Sequence, residues 1–312
     1  SFSDYRGYPS CISFHENRLF FSGVPGDPQK VYGSYVNDYS NMLNSELDDS
    51  AVIYPFAAES NDPVRWLVSK GKDVVFGTME GEWALRRNAD GGFTQSNVGA
   101  VRDDSNGSGD FKGILAKGYI LFIQREGKKV IQLTYDFNSD SYHGRDLTMI
   151  ADHILGAGAV EWSYQKEPNS VVWVVRPDGQ IGTMAYIPEE KIYAWSRIFT
   201  GAMQDDDTPD AEIESMCVLP SEIYFVVNRT IGEETKRYVE YMQAWDGTLA
   251  NGIFLDSCIV DTGGGTTISG LDHLEGKTVT AYKYTAATGV KIQTKLTVAS
   301  GQVTISEAAD TV

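Results

Sequence analysis

A chain of 312 residues with 43 acidic and 26 basic side chains has a formal charge of −17. Such a charge repels a phosphate backbone and argues against sequence-reading nucleic-acid binding. Hydrophobic residues at 42%, together with 31 Gly, 17 Tyr and 13 Phe, exclude a wholly disordered chain and favour strands and turns over long helices.

In chain order, residues 16–23 (ENRLFFSG) and 31–34 (VYGS) read as two strands, with Pro and Gly confined to the GVPGDPQK connection between them. Residues 73–78 (DVVFGT) and 82–85 (EWAL) form a hairpin whose Gly81 can take the positive φ of a tight turn. A third unit pairs residues 118–123 (GYILFI) with 129–135 (KVIQLTY). In its return strand Val130, Gln132 and Thr134 alternate with Ile131, Leu133 and Tyr135, which predicts a sheet with unequal faces.

The fourth unit contains three successive strands, 170–175, 180–186 and 192–198, the first two joined by Pro177-Asp178-Gly179, where Pro fixes φ and Gly accepts a left-handed position. A fifth repeats the plan with 222–228 and 236–243. Phe20, Val75, Leu121, Val172 and Phe225 are equivalent core positions, at intervals of 55, 46, 51 and 53 residues. Those intervals approach the spacing of about 40–50 residues found in propeller blades. The predicted fold is therefore all-β, a β-propeller-like array of antiparallel sheets, at least five, with a second, smaller β domain.

The glycine-rich DTGGGTT at 261–267 separates a propeller region, 1–260, from a small β-rich domain, 261–312. That domain shows three short strands, 277–282, 292–298 and 302–305. Three strands are few for an independent sheet. It is expected to be incomplete, and the chain to be a piece of a longer protein whose further strands finish both domains.

Candidate sites are sparse. No phosphate-binding glycine loop, zinc-ligand cluster or serine-hydrolase elbow is present, so no catalytic residue and no cofactor is predicted. Cys11, Cys217 and Cys258 are too widely separated for a zinc motif or a disulfide framework and are expected to be buried free thiols. His143 and His153, with Asp146 and Asp152 between them, have ligand chemistry but no metal-site spacing, and structural roles are favoured.

Three acidic groups stand out: Asp48-Asp49; Asp103-Asp104 with Asn106 and Asp110; and Asp205-Asp206-Asp207 with Asp210. Carboxylates serve glycoside hydrolysis or calcium binding when their geometry is right, yet DDSNGSGD lacks the terminal glutamate of a calcium loop. Solvated loops are the favoured reading, and the metal question is left open. Trp66, Trp83, Trp162, Trp173, Trp195 and Trp245 are expected chiefly as core, with sugar stacking as the alternative. Arg86-Arg87 and Lys128-Lys129 are short surface pairs, insufficient for a nucleic-acid footprint.

The ordered segments PSCISFHENRLFFSGVPGDPQKVYGS, DDSAVIYPF, DVVFGTMEGEWAL, ILFIQREGKKVIQLTYD, DLTMIADHI, YQKEPNSVVWVVRPDGQIGTMAYIPEEKIYAWSR and ISGLDHLEGKTV together resemble the tail nozzle, or tail tubular, protein family of short-tailed bacteriophages and related prophage proteins. This resemblance implies a structural virion protein, not an enzyme, forming part of a ring-shaped nozzle for DNA ejection. It implies as partners other copies of itself, commonly in a sixfold ring, with tail adaptor and tail fibre proteins and DNA in transient passage. It implies a place in the virion tail, after the bacterial host's cytoplasm; no membrane-spanning segment is expected, because the longest apolar runs, such as 119–123 and 170–175, are too short to cross a bilayer as a helix. A carbohydrate-binding or glycan-hydrolysing β-propeller using Asp and Trp is the alternative, and a protein-interaction propeller a third possibility.

Overall fold

The computed structural model describes residues 2–88, 91–201, 211–231, 234–242 and 258–312. It is an all-β protein built of antiparallel sheets, each open, none closed into a barrel. The helical elements among the described residues are three short 3-10 turns.

By contact density the chain divides into two compact units, Ser1–Pro177 with Ile181–Arg197, and Asp178–Gln180 with Ile198–Val312. The first unit holds four sheets of four strands. Sheet 1 comprises β1 (Cys11–His15), β2 (Arg18–Ser22), β3 (Lys30–Gly33) and β4 (Val52–Pro55). Sheet 2 comprises β5 (Val64–Lys70), β6 (Asp73–Thr78), β7 (Glu82–Arg87) and β8 (Val98–Asp104). Sheet 3 has β9 (Ile114–Ala116), β10 (Tyr119–Ile123), β11 (Val130–Asp136) and β12 (Ser141–Asp146). Sheet 4 has β13 (Glu161–Gln165), β14 (Val171–Val175), β15 (Ile181–Ile187) and β16 (Ile192–Ile198).

Every sheet is a meander, its strands hydrogen-bonded in chain order. Phe20, Val75, Leu121 and Val172 each lie on the second strand of successive sheets. The sequence spacing therefore measured a repeated four-strand unit, although only two or three strands per unit were legible.

Period-two alternation gives sheet 2 two apolar faces. Leu67, Val74 and Phe76 point into one cluster with Phe20, Val31 and Val52 of sheet 1. Trp66, Val68 and Val75 point into another with Ile120, Phe122, Ile131 and Leu133 of sheet 3. Val64 joins Leu67 on the first face because a bulge shifts the register between Val64 and Trp66.

The unequal faces expected of β11 are corrected over its first half. Val130, Ile131, Gln132 and Leu133 are all buried, because Gln132 Oε1 accepts the Tyr186 hydroxyl of sheet 4 at 2.9 Å. A polar side chain can face a sheet interface when its hydrogen bond is satisfied there.

The second unit contains a three-stranded sheet of β17 (Ala211–Leu219), β18 (Glu222–Ile231) and β19 (Glu234–Tyr241), which carries Phe225, again on a second strand. It also contains two short ladders. β20 (Thr267–Ser269) pairs with β23 (Gln302–Thr304), and β21 (Thr278–Thr285) pairs with β22 (Gly289–Thr297). Ile268, Leu271, Val298 and Val303 form its core, beside a cavity of about 90 Å³.

Candidate functional site

A polar cluster of the first unit lies where sheets 2 and 3 meet. Arg86 sits at the end of β7, and its Nη2 donates to Asp103 Oδ2 on β8. Arg86 Nη1 donates to the Asp140 carbonyl at 2.8 Å, and Nε lies 3.4 Å from Asp73 Oδ2 at the start of β6. Asp103 Oδ2 also accepts the Tyr142 backbone N–H at 3.0 Å, while the Tyr142 hydroxyl donates to Asp73 Oδ2 at 3.3 Å. The backbone of β12 is thereby tied to the carboxylates of sheet 2.

Aromatic rings frame these charges. Tyr135 and Tyr142 are cross-strand partners on β11 and β12, with ring centroids 5.3 Å apart. The Arg86 guanidinium lies 6.0 Å from the Tyr135 centroid and 5.6 Å from that of Tyr142. Lys70 Nζ stands 5.0 Å from the Tyr142 centroid and 5.8 Å from that of Tyr119. Cations over ring faces gain electrostatic stabilisation, more so when partly desolvated as here.

Burial raises the Asp103 carboxyl above the usual carboxylate range, and Asp73 and Asp140 add to the rise, against the lowering effect of the Tyr142 N–H and Arg86. Burial likewise lowers the Lys70 ammonium. The Asp103 side chain is only 2% exposed, so it cannot reach a glycosidic oxygen in solvent. The accessible edge consists of Tyr135, whose hydroxyl donates to Asp140 Oδ1, of Asp140 itself, and of Phe137, which is 86% exposed. That edge can stack on a flat apolar surface and hydrogen-bond polar groups beside it. It holds no general acid and base poised in solvent.

Of the sequence candidates, Asp103 belongs to this cluster and Arg86 is its centre, a correction to the surface role expected for the Arg86-Arg87 pair. Arg86 is drawn inward by the carboxylates, whereas Arg87 reaches Glu16 at 3.6 Å. Tyr135, Asp73, Asp140 and Lys70 were not singled out. Tyr135 and Asp140 belong to the aromatic and acidic run TYDFNSDSYH around the β11–β12 turn, whereas Lys70 and Asp73 flank the tight β5–β6 turn and carry no such signal.

The other candidates do not converge on a site. Asp104 accepts from Ser105 N and from Asn106 Nδ2, and Asp110 lies 3.7 Å from Arg65. Asp48 and Asp49 are exposed, and it is their backbone carbonyls that bind Arg18. His143 is hydrogen-bonded through Nε2 to Ser139 and Ser141, Asp146 pairs with Lys129, and His153 is exposed on a 3-10 turn with Asp152. Among the described residues no group of three or more His, Cys, Asp or Glu is placed to hold a metal ion. Asp205, Asp206, Asp207, Asp210 and Trp245 lie outside the described residues.

Trp66, Trp83, Trp162 and Trp173 are buried as core, and the half-buried Trp195 donates to the Leu147 carbonyl at 2.9 Å. None of these five offers an open stacking platform. The cysteines are free, but only Cys11 is shielded, burial pushing its thiol up to about 12. Cys217 and Cys258 are exposed, which corrects the expectation of buried thiols: Cys217 lies on the outward side of β17, and Cys258 precedes the first strand of its ladder. Among the described residues no helix is long and apolar enough to cross a membrane.

No family model matches the chain, and no curated protein does. Among solved structures it is similar to a putative 6-phosphogluconolactonase from Bacteroides uniformis, with 11% identity, 76% of this chain and 75% of that one covered, and a TM-score of 0.47. It is also similar to a protein from Lactobacillus plantarum, with 11% identity, 97% and 87% covered, and a TM-score of 0.46. A third is BamB from Moraxella catarrhalis, with 15% identity, 75% and 65% covered, and a TM-score of 0.40.

None of these three is described as a viral tail protein, and the tail-nozzle expectation is corrected accordingly. The segments that carried it are the strands and turns of the meanders: DVVFGTMEGEWAL spans β6 and β7, and ILFIQREGKKVIQLTYD spans β10 and β11. Strand–turn–strand runs in that order are what a series of antiparallel sheets requires, so they report architecture and not a tail. With the nozzle fall the DNA-ejection role, the sixfold ring of copies, the tail adaptor and fibre partners, and the virion and host-cytoplasm locations.

Proposed function

We propose that the chain is a carbohydrate-binding scaffold of β-propeller type, with the sheets of the first unit as consecutive blades and residues 261–312 as a smaller β domain. The packing of β1 and β2 on β5, of β5 on β9, and of β9 on β13 supports the blade arrangement, because first strands adjoin in succession. The observation that carries the binding reading is the Tyr135 edge, an exposed ring beside Asp140 and Arg86. Sugar recognition needs an amphipathic ring face with planar hydrogen-bonding groups at its margin.

The ligand class is a neutral oligosaccharide. The cluster sets three carboxylates, Asp73, Asp103 and Asp140, against Lys70 and Arg86, on a chain of charge −17, which disfavours anionic glycans. The reading is one of binding without hydrolysis, since the accessible carboxylate, Asp140, has no solvent-facing acid partner in the cluster.

Titration calorimetry against neutral oligosaccharides of glucose, mannose, galactose and N-acetylglucosamine tests this. The expected result is saturable binding by one sugar type, weakened about tenfold or more in both Tyr135→Ala and Asp140→Asn, with loss of roughly 1–2 kcal/mol each. Absence of binding across the panel overturns the reading, and release of reducing sugar overturns its non-hydrolytic form. If instead the chain binds protein through exposed Ile12, Phe14, Leu43 and Leu47, the Tyr135→Ala variant retains that binding unchanged.

A further inference from the structure

The hairpin that carries Tyr135 and Tyr142 recurs in sheet 4. Tyr186 and Tyr193 follow them by 51 residues each, the step that also separates Leu121 from Val172. Like their counterparts they are the last residue but one of a third strand, β15, and the second residue of a fourth, β16. Asp140 and Lys191, which close the two turns, are again one step apart and both left-handed, at φ of +49° and +55°. The ring centroids of Tyr186 and Tyr193 are 5.9 Å apart, against 5.3 Å for Tyr135 and Tyr142. An arginine of the preceding sheet meets each pair: Arg86 lies 5.6 Å from the Tyr142 centroid, and Arg145, on β12, lies 5.1 Å from that of Tyr193.

The two hairpins differ in what they leave free. Arg86 is committed to Asp73, Asp103 and the Asp140 carbonyl. Arg145 is exposed, and among the described residues its guanidinium has the Tyr193 ring as its partner and neither a carboxylate nor a carbonyl. Tyr193 is backed in turn by Tyr186, which is fully buried with its hydroxyl donated to Gln132. A guanidinium laid on an aromatic ring keeps its in-plane N–H donors available for oxygen acceptors.

Period-two alternation sets Ser141, His143 and Arg145 on one face of β12, the edge strand of sheet 3. Ser141 is half-buried, and His143 and Arg145 are exposed. His143 Nε2 is hydrogen-bonded to the Ser139 hydroxyl at 2.8 Å and to that of Ser141 at 3.1 Å. A polar track therefore leads from Asp140, at the Tyr135 edge, along Ser141 and His143 to Arg145, and the strand from Ser141 to Arg145 is about 13 Å long.

We propose that this track is a second carbohydrate subsite, in which Arg145, braced on Tyr193, donates to oxygens of a sugar unit beyond the one at Tyr135, so that the ligand is a chain of several sugar units and not a lone terminal sugar. The second subsite rests on the carbohydrate-binding function proposed above. One sugar ring is too short to touch both ends of the track. A longer chain held at Tyr135 presents its further units to Arg145 at high effective concentration, which strengthens binding without any change at the first subsite.

Titration calorimetry on the intact chain tests this with length series, from monosaccharide to hexasaccharide, of neutral glucose, mannose, galactose and N-acetylglucosamine oligomers. Affinity for one series is expected to rise about tenfold or more with length and then level off. In Arg145→Ala that rise is expected to vanish, long and short chains binding alike. Arg145→Lys, which keeps the charge without the planar fork, is expected to recover only part of it. Tyr135→Ala is expected to weaken binding at every length. A wild type whose affinity is independent of length, or an Arg145→Ala variant with the wild-type length dependence, overturns the second subsite and leaves the Tyr135 site standing. No binding at any length overturns both. Arg145→Ala is also expected to unfold at the wild-type urea midpoint. A large fall in that midpoint together with lost length dependence makes Arg145 a structural prop for Tyr193 and overturns its contact with the ligand.

Discussion

Trp66→Ala is expected to destabilise the chain by about 3–5 kcal/mol, the range for deleting a large buried aromatic side chain. Trp66 is 1% exposed and belongs to β5 of sheet 2, yet it packs in one cluster with Ile120, Phe122, Ile131 and Leu133 of sheet 3. Its ring centroid lies 5.5 Å from that of Phe122. Two glycines mould the backbone around it, since a Cβ at Gly77 would approach the indole to 2.2 Å and one at Gly113 to 2.7 Å. Neighbours that already lack side chains cannot collapse into the space an alanine leaves. The indole N–H adds a second component, because its loss leaves Ser108 Oγ without its donor. Trp66→Phe separates the two, retaining most of the packing and costing about 1–2 kcal/mol. Denaturant midpoints at constant slope measure both, and an alanine cost below about 1 kcal/mol would contradict Trp66 as the joint between the sheets.

Arg18→Met carries the other large expected loss, about 3 kcal/mol or more. Arg18 is 2% exposed, and its guanidinium binds backbone carbonyls rather than a carboxylate. Nη1 donates to Ser34 at 2.7 Å, Ser50 at 2.5 Å and Asp49 at 3.3 Å, and Nη2 to Asp48 at 2.8 Å. These carbonyls belong to the two ends of the excursion between β3 and β4, so one side chain closes an irregular loop that has few ladder bonds of its own. Methionine fills the stem's volume but leaves buried acceptors unpaired. Lysine keeps the charge, yet its compact ammonium cannot span the same set of acceptors, and roughly half the loss is expected to remain. Limited proteolysis within residues 38–48 should accelerate in Arg18→Met in step with the lower denaturant midpoint, and unchanged cleavage would refute the closing role.

The pattern of recovered and missed strands has a physical origin. β6, β10, β14 and β18 were legible because they are second strands, apolar on both faces, bounded by Gly, Pro or charged turns. β1, β8, β12 and β13 were missed. β1 alternates exposed Ile12 and Phe14 with half-buried Cys11 and Ser13, while β8 and β12 end in Asp103-Asp104 and Arg145-Asp146. Such strands have strand geometry by virtue of their neighbours, and their own composition resembles a loop. Asp103 and Asp104 were accordingly read as a solvated acidic loop, although they are strand residues whose oxygens receive backbone N–H groups from β12.

What the sequence determined by itself was the class of fold and its period: alternating apolar residues and turn chemistry are local properties, and they specify strands, hairpins and a recurring unit without reference to distant residues. It also determined that most tryptophans serve as core, because they are embedded in apolar runs. Only the tertiary structure decided the site. Lys70, Asp73, Arg86, Asp103, Tyr135 and Tyr142 come from six strands of two sheets, and their separation in sequence bears no relation to the few ångströms between them. Tertiary structure likewise made Glu82, read in the sequence as the first residue of a strand, a fully buried carboxyl, and a side chain's charge state follows the medium its neighbours make around it.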